Sequence, residues 1–287
     1  MTVSEEQALA QPAPAATPVL ELRDVAVHFG GVKAVDGITL KLEPGLVYGI
    51  IGPNGSGKTT LIGAITRLTR LTRGEMLFDG RPYLDLRASK LARLGVARTF
   101  QTVRLLPDLD VVQNVQLGFD GRVDRGEDAA KPKSGSWWRT ALGVGTPPEV
   151  AAAIARTGLQ GFERFYPSEL SYGTQRRVEI ARAMAASPRL LLLDEPAAGL
   201  NAQETQQLAE IVRDVRDSGT TVVLIEHNMS LVMSLCDRVT VLASGRVIAD
   251  DVPAVVANDP QVIEAYLGRG RELESTDGAP VEREDAS

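Results

Sequence analysis

Leu46-Val47-Tyr48-Gly49-Ile50-Ile51-Gly52-Pro53-Asn54-Gly55-Ser56-Gly57-Lys58-Thr59-Thr60 is the stretch on which the fold turns. Leu46 to Ile51 is a short apolar run that reads as a buried strand. It enters a turn rich in glycine and then a helix from Lys58. Gly52 to Thr59 fits G-x-x-x-x-G-K-[ST] at every position, in the strand–turn–helix context that this pattern requires. Glycines let backbone N–H groups turn inward around a phosphate with no Cβ in the way, and the helix N-terminus adds partial positive charge. Lys58 is expected to reach the β- and γ-phosphates of a nucleoside triphosphate, and the Thr59 hydroxyl to ligate Mg²⁺. Gly52, Pro53, Asn54, Gly55, Ser56, Gly57, Lys58, Thr59 and Thr60 form the expected nucleotide cradle. The pattern settles triphosphate binding and leaves the family open.

A second decisive stretch is Leu190-Leu191-Leu192-Leu193-Asp194-Glu195-Pro196. It sets two carboxylates at the C-terminal end of a buried strand, where open α/β sheets bind ligands. Adjacent residues on an extended chain point in different directions, so the two can serve different roles. Asp194 is expected to hold Mg²⁺ through water, and Glu195 to polarise the attacking water as general base.

The 287 residues are 44% hydrophobic and 24% charged, with a net charge of −6. That is enough material for a sizeable core, and the acidic balance argues against nucleic acid as a partner. No apolar run approaches the roughly 18 residues that a membrane-spanning helix needs. Residues 1–18 lack the basic flank and apolar core of a signal peptide, so a cytoplasmic chain is expected. The single cysteine, Cys236, lies in an apolar helical stretch and reads as core. Residues 1–18 read as a disordered Ala/Pro-rich tail, 19–268 as one domain and 269–287 as a disordered acidic tail. Within the domain, short apolar runs alternate with helical stretches, Thr221 to Ile225 giving a third buried strand. From about Leu84 to Pro167 the pattern turns helical around the polar loop GRVDRGEDAAKPKSGS, and this stretch reads as an inserted helical subdomain.

Leu170-Ser171-Tyr172-Gly173-Thr174-Gln175-Arg176-Arg177 then identifies the family that the chain resembles. It is similar to the LSGGQ signature of the ABC ATPases, a resemblance that covers about Leu20 to Gly268. Tyr172 stands where the family has glycine, and Thr174 where it has glutamine. The resemblance implies a P-loop NTPase core with a mainly parallel sheet, an antiparallel β edge and an inserted helical subdomain. It also implies that ATP and Mg²⁺ are the ligands. Ser171, Tyr172, Gly173, Thr174 and Gln175 would close over ATP held by a partner subunit. Gln101, in Arg98-Thr99-Phe100-Gln101, resembles the Q-loop glutamine that reaches Mg²⁺ or the attacking water. His227 resembles the switch histidine that contacts the γ-phosphate and orients Glu195 and water; only two histidines are present, and His28 has no assigned task. Phe29 corresponds to the aromatic that stacks on adenine, with Val35 packing nearby. Ala198-Gly199-Leu200-Asn201 corresponds to the D-loop, with Asn where many members carry Asp.

Within the family, HFGGVKAVDGITL, ARTFQTVRLLPDLDVVQNV, EPAAGLNAQET and DPQVIEAYLG read most like the cassettes of branched-chain amino-acid importers. That resemblance implies a dimer, homo- or heteromeric, peripheral to the cytoplasmic face of the cell membrane. Its partners would be two transmembrane permease subunits and, indirectly, a solute-binding protein. Trp137-Trp138 belongs either to the packed helical subdomain or to a partner-facing surface. Two rival readings are an exporter cassette of the lipopolysaccharide-extraction type and a non-transport ABC ATPase. Members of the latter group carry long coiled coils between the motifs, or two cassettes in one chain, and this sequence has neither. Lys58→Ala is expected to abolish ATP binding, measured by nucleotide titration of the purified chain; unchanged affinity would contradict the cradle.

Overall fold

The computed structural model describes residues 17–121 and 145–266. The tails, apart from residues 17 and 18, the polar loop beyond Gly121 and Trp137-Trp138 lie outside them. Leu20–Phe29 (β1) and Val32–Leu42 (β2) form an antiparallel hairpin in which Phe29 faces Val32 across the turn. Gly30 takes φ +57° at the tip, a conformation that suits glycine. Val47–Ile51 (β3) leads into the helix Lys58–Ile65 (α1). Arg73–Phe78 (β4) and Arg81–Pro82 (β5) complete a four-stranded antiparallel sheet of order β2-β1-β4-β5.

The second sheet carries the chemistry. Leu91–Leu94 (α2) precedes Val96–Arg98 (β6); Val111–Asp120 (α3), Pro148–Arg156 (α4) and Tyr172–Ala185 (α5) follow. Leu190–Asp194 (β7), Ala202–Asp217 (α6), Thr221–Ile225 (β8), Met229–Leu235 (α7), Arg238–Ala243 (β9), Arg246–Asp251 (β10) and Pro253–Val256 (α8) complete the core. The strand order is β10-β9-β3-β8-β7-β6, parallel throughout except for β10 at one edge. The chain is thus α/β, with one mainly parallel and one antiparallel sheet.

Strand alternation explains why β3, β7 and β8 are buried on both faces. Tyr48, Ile50, Leu190, Leu192, Val223 and Ile225 point toward the antiparallel sheet and α1. Val47, Ile51, Leu191, Leu193, Val222 and Leu224 point toward α6 and α7. Each leucine so placed contributes about 1.5–3 kcal/mol by leaving water. Cys236 is buried in the second cluster, where burial pushes its thiol up to about 12. A third cluster joins Val111, Val115, Val150 and Ile154 to Leu170, Val178 and Ala181, packing α3 and α4 on α5.

The stretch from about Leu84 to Pro167 therefore contains helices and also one strand of the parallel sheet. β6 pairs with β7 through Val96–Leu190 and Arg98–Leu192, and the helical cluster runs on past Pro167 into α5. Three residues of strand are too few to give a period in the sequence. Among the described residues no helix is long and apolar enough to cross a membrane.

One buried ion pair fastens the helical cluster to the sheet. Arg176 and Glu179 on α5 are 1% and 2% exposed and lie 2.8 Å apart. Arg176 also donates to the carbonyls of Phe100 and Gln101, each at 2.6 Å, just beyond β6. Burial pushes the Glu179 carboxyl above its usual range, opposed by the Arg176 charge. Removing one partner strands the other charge in a dry site. Arg176→Ala is expected to lower stability by about 3–5 kcal/mol, read as a drop in the urea midpoint with an unchanged slope.

Candidate nucleotide site

Parallel register brings the expected site residues to one edge. Ile225 pairs with Ile50 on one side and with Asp194 on the other. The chain segments leaving β3, β7 and β8 therefore emerge side by side, within about 10 Å by strand spacing. They are the glycine-rich turn, Glu195 and Glu226-His227. Beyond β6, Thr99 N donates to Leu192 O at 2.9 Å and carries the chain to Gln101 along the same edge. This is the crevice outside the carboxyl ends of the strands.

The turn from Gly52 to Gly57 is shaped by its neighbours. Gly52 has φ +147°, and a Cβ there would lie 2.1 Å from Leu242 O; at Gly57, φ +103°, it would lie 2.2 Å from Ala34 O. No side chain fits either position. The Lys58 ammonium donates to Gly52 O at 2.7 Å and to Pro53 O at 3.1 Å, bracing the loop across its width. Thr59 is exposed at the start of α1. The Ser56 hydroxyl is buried with no hydrogen-bond partner, and buried polar atoms are normally satisfied. A phosphate oxygen suits both that hydroxyl and the N-terminus of α1 beside it, so the residues present fit a nucleotide.

The carboxylates part company because the strand stops between them. Glu195 adopts φ +46°, a left-handed conformation that costs a non-glycine residue about 1–2 kcal/mol. The sequence predicts an extended dipeptide; the structure has instead a left-handed turn, pinned by Glu195 N donating to Ile225 O at 2.9 Å, and the two carboxylates take different partners. Asp194, 7% exposed, pairs with Arg98 at 2.8 Å. Glu195 accepts a hydrogen bond from the Gln101 amide at 2.9 Å, and its Oε2 lies 4.0 Å from His227 Nδ1. Gln101, Glu195 and His227 thus form one cluster. Arg98 carries no local signal of this pairing; it also donates to Thr66 Oγ1 at 3.2 Å and lies over the Phe100 ring. Thr59, Asp194 and Gln101 supply oxygen donors of the kind Mg²⁺ prefers.

Phe29 is 56% exposed at the hairpin tip, where its ring is free to stack. Val35 is not at the surface: it is fully buried in the first core and backs the hairpin instead. Residues 32 and 35 fall on opposite faces of a strand, and the exposed residue opposite Phe29 is Val32. His28 lies 3.4 Å from Asp36, itself bonded to Arg246 at 2.8 Å, so it belongs to a polar link between β2 and β10.

The signature segment starts α5. Ser171 is exposed and caps the helix, accepting from Thr174 N at 3.2 Å. Tyr172 is exposed too, its ring over Gly199 and its hydroxyl bonded by Arg176 at 3.3 Å. The other three side-chain positions turn inward. Gly173 is buried beneath Glu204, whose Oε1 would lie 2.2 Å from an added Cβ. Thr174 Oγ1 accepts from Arg177 at 3.1 Å, and Gln175 donates to Pro167 O and Leu170 O. Thr174 and Gln175 thus build the segment, while Ser171 and Tyr172 face outward. Asn201 and Glu204 form a capping box on α6, so asparagine preserves the cap without the charge.

Comparison with known proteins fits this geometry. A family model described as "ABC transporter" matches residues 35–198, and one described as "Branched-chain amino acid ATP-binding cassette transporter" matches residues 246–272. The chain is 38% identical over 252 residues to the high-affinity branched-chain amino acid transport ATP-binding protein LivG of Escherichia coli strain K12, covering 88% of this chain and 98% of that one. It is 40% identical over 253 residues to the corresponding protein BraF of Pseudomonas aeruginosa, with the same coverage. The ADP conformation of MJ1267, an ATP-binding cassette of an ABC transporter, superposes with a TM-score of 0.73 at 28% identity, covering 88% of this chain and 99% of that one. The ATP-binding cassette MJ0796, a dimer bound to ADP and phosphate after hydrolysis, does so at 0.66 and 26% identity, covering 82% and 98%. On the cradle, the two carboxylates, the fold and these matches together, the chain belongs to the ABC transporter family as an ATP-hydrolysing cassette.

Proposed function

We propose that the chain powers uptake of branched-chain or other hydrophobic amino acids, as one of two cassettes beneath a pair of membrane permease subunits. The observation that carries the mechanism is the placement of two half-sites on one chain. The Gly52–Thr59 cradle lies at the end of β3. Ser171 begins α5, which belongs to the helical cluster with α3 and α4 and touches the sheet at β6, three strands from β3 in the order β3-β8-β7-β6. In this reading one nucleotide on the cradle is met by the Ser171 hydroxyl and the Gly173 backbone N–H of a second cassette. The solute class is supported by what LivG and BraF are named for and by the match over residues 246–272. The same relationship supports a place on the cytoplasmic face of the membrane, a sister cassette as dimer partner and a solute-binding protein upstream. The helical cluster of α3, α4 and α5 is proposed as the subdomain that meets the permeases.

In this reading the adenine stacks on Phe29, and Lys58, Ser56 and the backbone of the turn hold the phosphates. Thr59, Asp194 and Gln101 would hold Mg²⁺, and the ion, when bound, would neutralise phosphate charge. Glu195 takes a proton from the attacking water, Gln101 holds the Glu195 carboxylate in place, and His227 contacts the γ-phosphate. Binding of two nucleotides closes the dimer and draws the helical clusters inward; hydrolysis releases it, so the affinity difference between states does the work.

Glu195→Gln is expected to bind ATP and dimerise while turnover falls about 10²–10⁴-fold; near-normal phosphate release would remove Glu195 from its role. Ser171→Arg is expected to leave ATP binding by single subunits intact and to prevent ATP-dependent dimers in size-exclusion chromatography. Isolation of the membrane complex should yield two permeases and a binding protein that takes leucine, isoleucine or valine. Recovery with a lipid-exporting assembly would overturn the import reading.

A further inference from the structure

Beneath the proposed catalytic cluster lies a carboxylate that the mechanism does not use. Glu226 follows β8 directly and is 1% exposed. Burying a carboxylate is unfavourable unless hydrogen bonds or charge hold it. Three backbone N–H groups do so. Ala197 N donates to Oε1 at 2.8 Å, His227 N to Oε2 at 3.2 Å and Asn228 N to Oε2 at 3.4 Å. Ala197 is the third residue of the tight turn closed by Ala198 N donating to Glu195 O at 3.2 Å. One side chain thus clasps the turn that begins at Glu195 to the loop that carries His227, with Glu226 lying 29 residues from Ala197 in sequence. The His227 ring is 4.0 Å from both the Glu226 and the Glu195 carboxylates.

We propose that Glu226 is a positioning residue for hydrolysis: its carboxylate locks the Glu195–Ala198 turn to the His227 loop and fixes the spacing between Glu195 and the imidazole. The proposal rests on the reading of Glu195 and His227 as the groups that act on water and γ-phosphate. The chemistry explains why a carboxylate stands here. All three partners are donors, and an ionised carboxylate is the side chain that only accepts. Glutamine keeps the shape but turns an NH₂ group toward a backbone N–H. Aspartate keeps the charge and can still bond the next one or two N–H groups of its own loop. Being one methylene shorter, it does not reach Ala197.

The test compares the full chain with its Glu226→Gln, Glu226→Asp and Glu195→Gln variants. Steady-state kcat and KM for ATP are measured beside binding of a fluorescent ATP analogue, which counts molecules with an intact cradle. Both Glu226 variants are expected to bind the analogue as the parent does and to keep KM, while kcat per binding-competent molecule falls about 10–100-fold, the worth of one hydrogen bond to a charged group. Full-rate turnover in Glu226→Gln overturns the proposal. So does full-rate turnover in Glu226→Asp, because the link to Ala197 would then be dispensable. A loss of rate that merely follows a loss of analogue binding overturns it as well, since that marks an ordinary folding role. Glu195→Gln separates the two claims: turnover lost there and kept in the Glu226 variants sinks the clasp alone, and turnover kept there sinks the catalytic reading beneath it.

Discussion

Ile225 is paired in parallel register with Ile50 on one flank and with Asp194 on the other, and the whole site depends on that alignment. Parallel strands leave the sheet pointing the same way, so their following residues gather at one edge without any contact between them in sequence. A slip of one residue would send every inward side chain of the strand to the opposite face. Both faces of these strands are dry, so neither face could accept the exchange. Hydrophobic burial thus fixes the register, and the register places the phosphate turn, Glu195 and His227 together.

Polar side chains then set the geometry that the strands only approximate. Arg176 grips the carbonyls of Phe100 and Gln101, so the start of α5 and the loop carrying Gln101 move as a unit. Gln101 in turn bonds Glu195. At the other end of α5's first turn, Tyr172 lies over Gly199, in the loop that follows Glu195. The exposed start of α5 and the Gln101–Glu195 pair are therefore linked through side chains of one subunit. In the proposed dimer such a linkage would give two nucleotides a physical route to influence each other, because each subunit would contribute to both sites.

The same arrangement accounts for the departures from the family pattern. Tyr172 fills the space above a glycine and ties its hydroxyl to Arg176, while Gly173 packs beneath Glu204 and the Thr174 side chain turns inward to Arg177. Asn201 keeps a capping box that needs an acceptor side chain and no charge. Ser171 remains exposed at the helix start, where backbone N–H groups and the helix dipole favour an anion.

The cradle, the two carboxylates and the order of the motifs were legible in the sequence because each depends on local chemistry. Gly52 and Gly57 announce backbone that excludes a Cβ; four leucines ending in Asp194-Glu195 announce a buried strand reaching an edge. Tertiary structure alone decided what depends on neighbours distant along the chain. It turned Val35 into the core and left Val32 outside, added the three-residue strand β6 to the sheet, and set Glu195 in a left-handed turn. It also placed Arg98 on Asp194 and gave Glu226 its three donors. None of these has a local signal, because a buried charge or a short edge strand is stabilised by partners that only folding brings within reach.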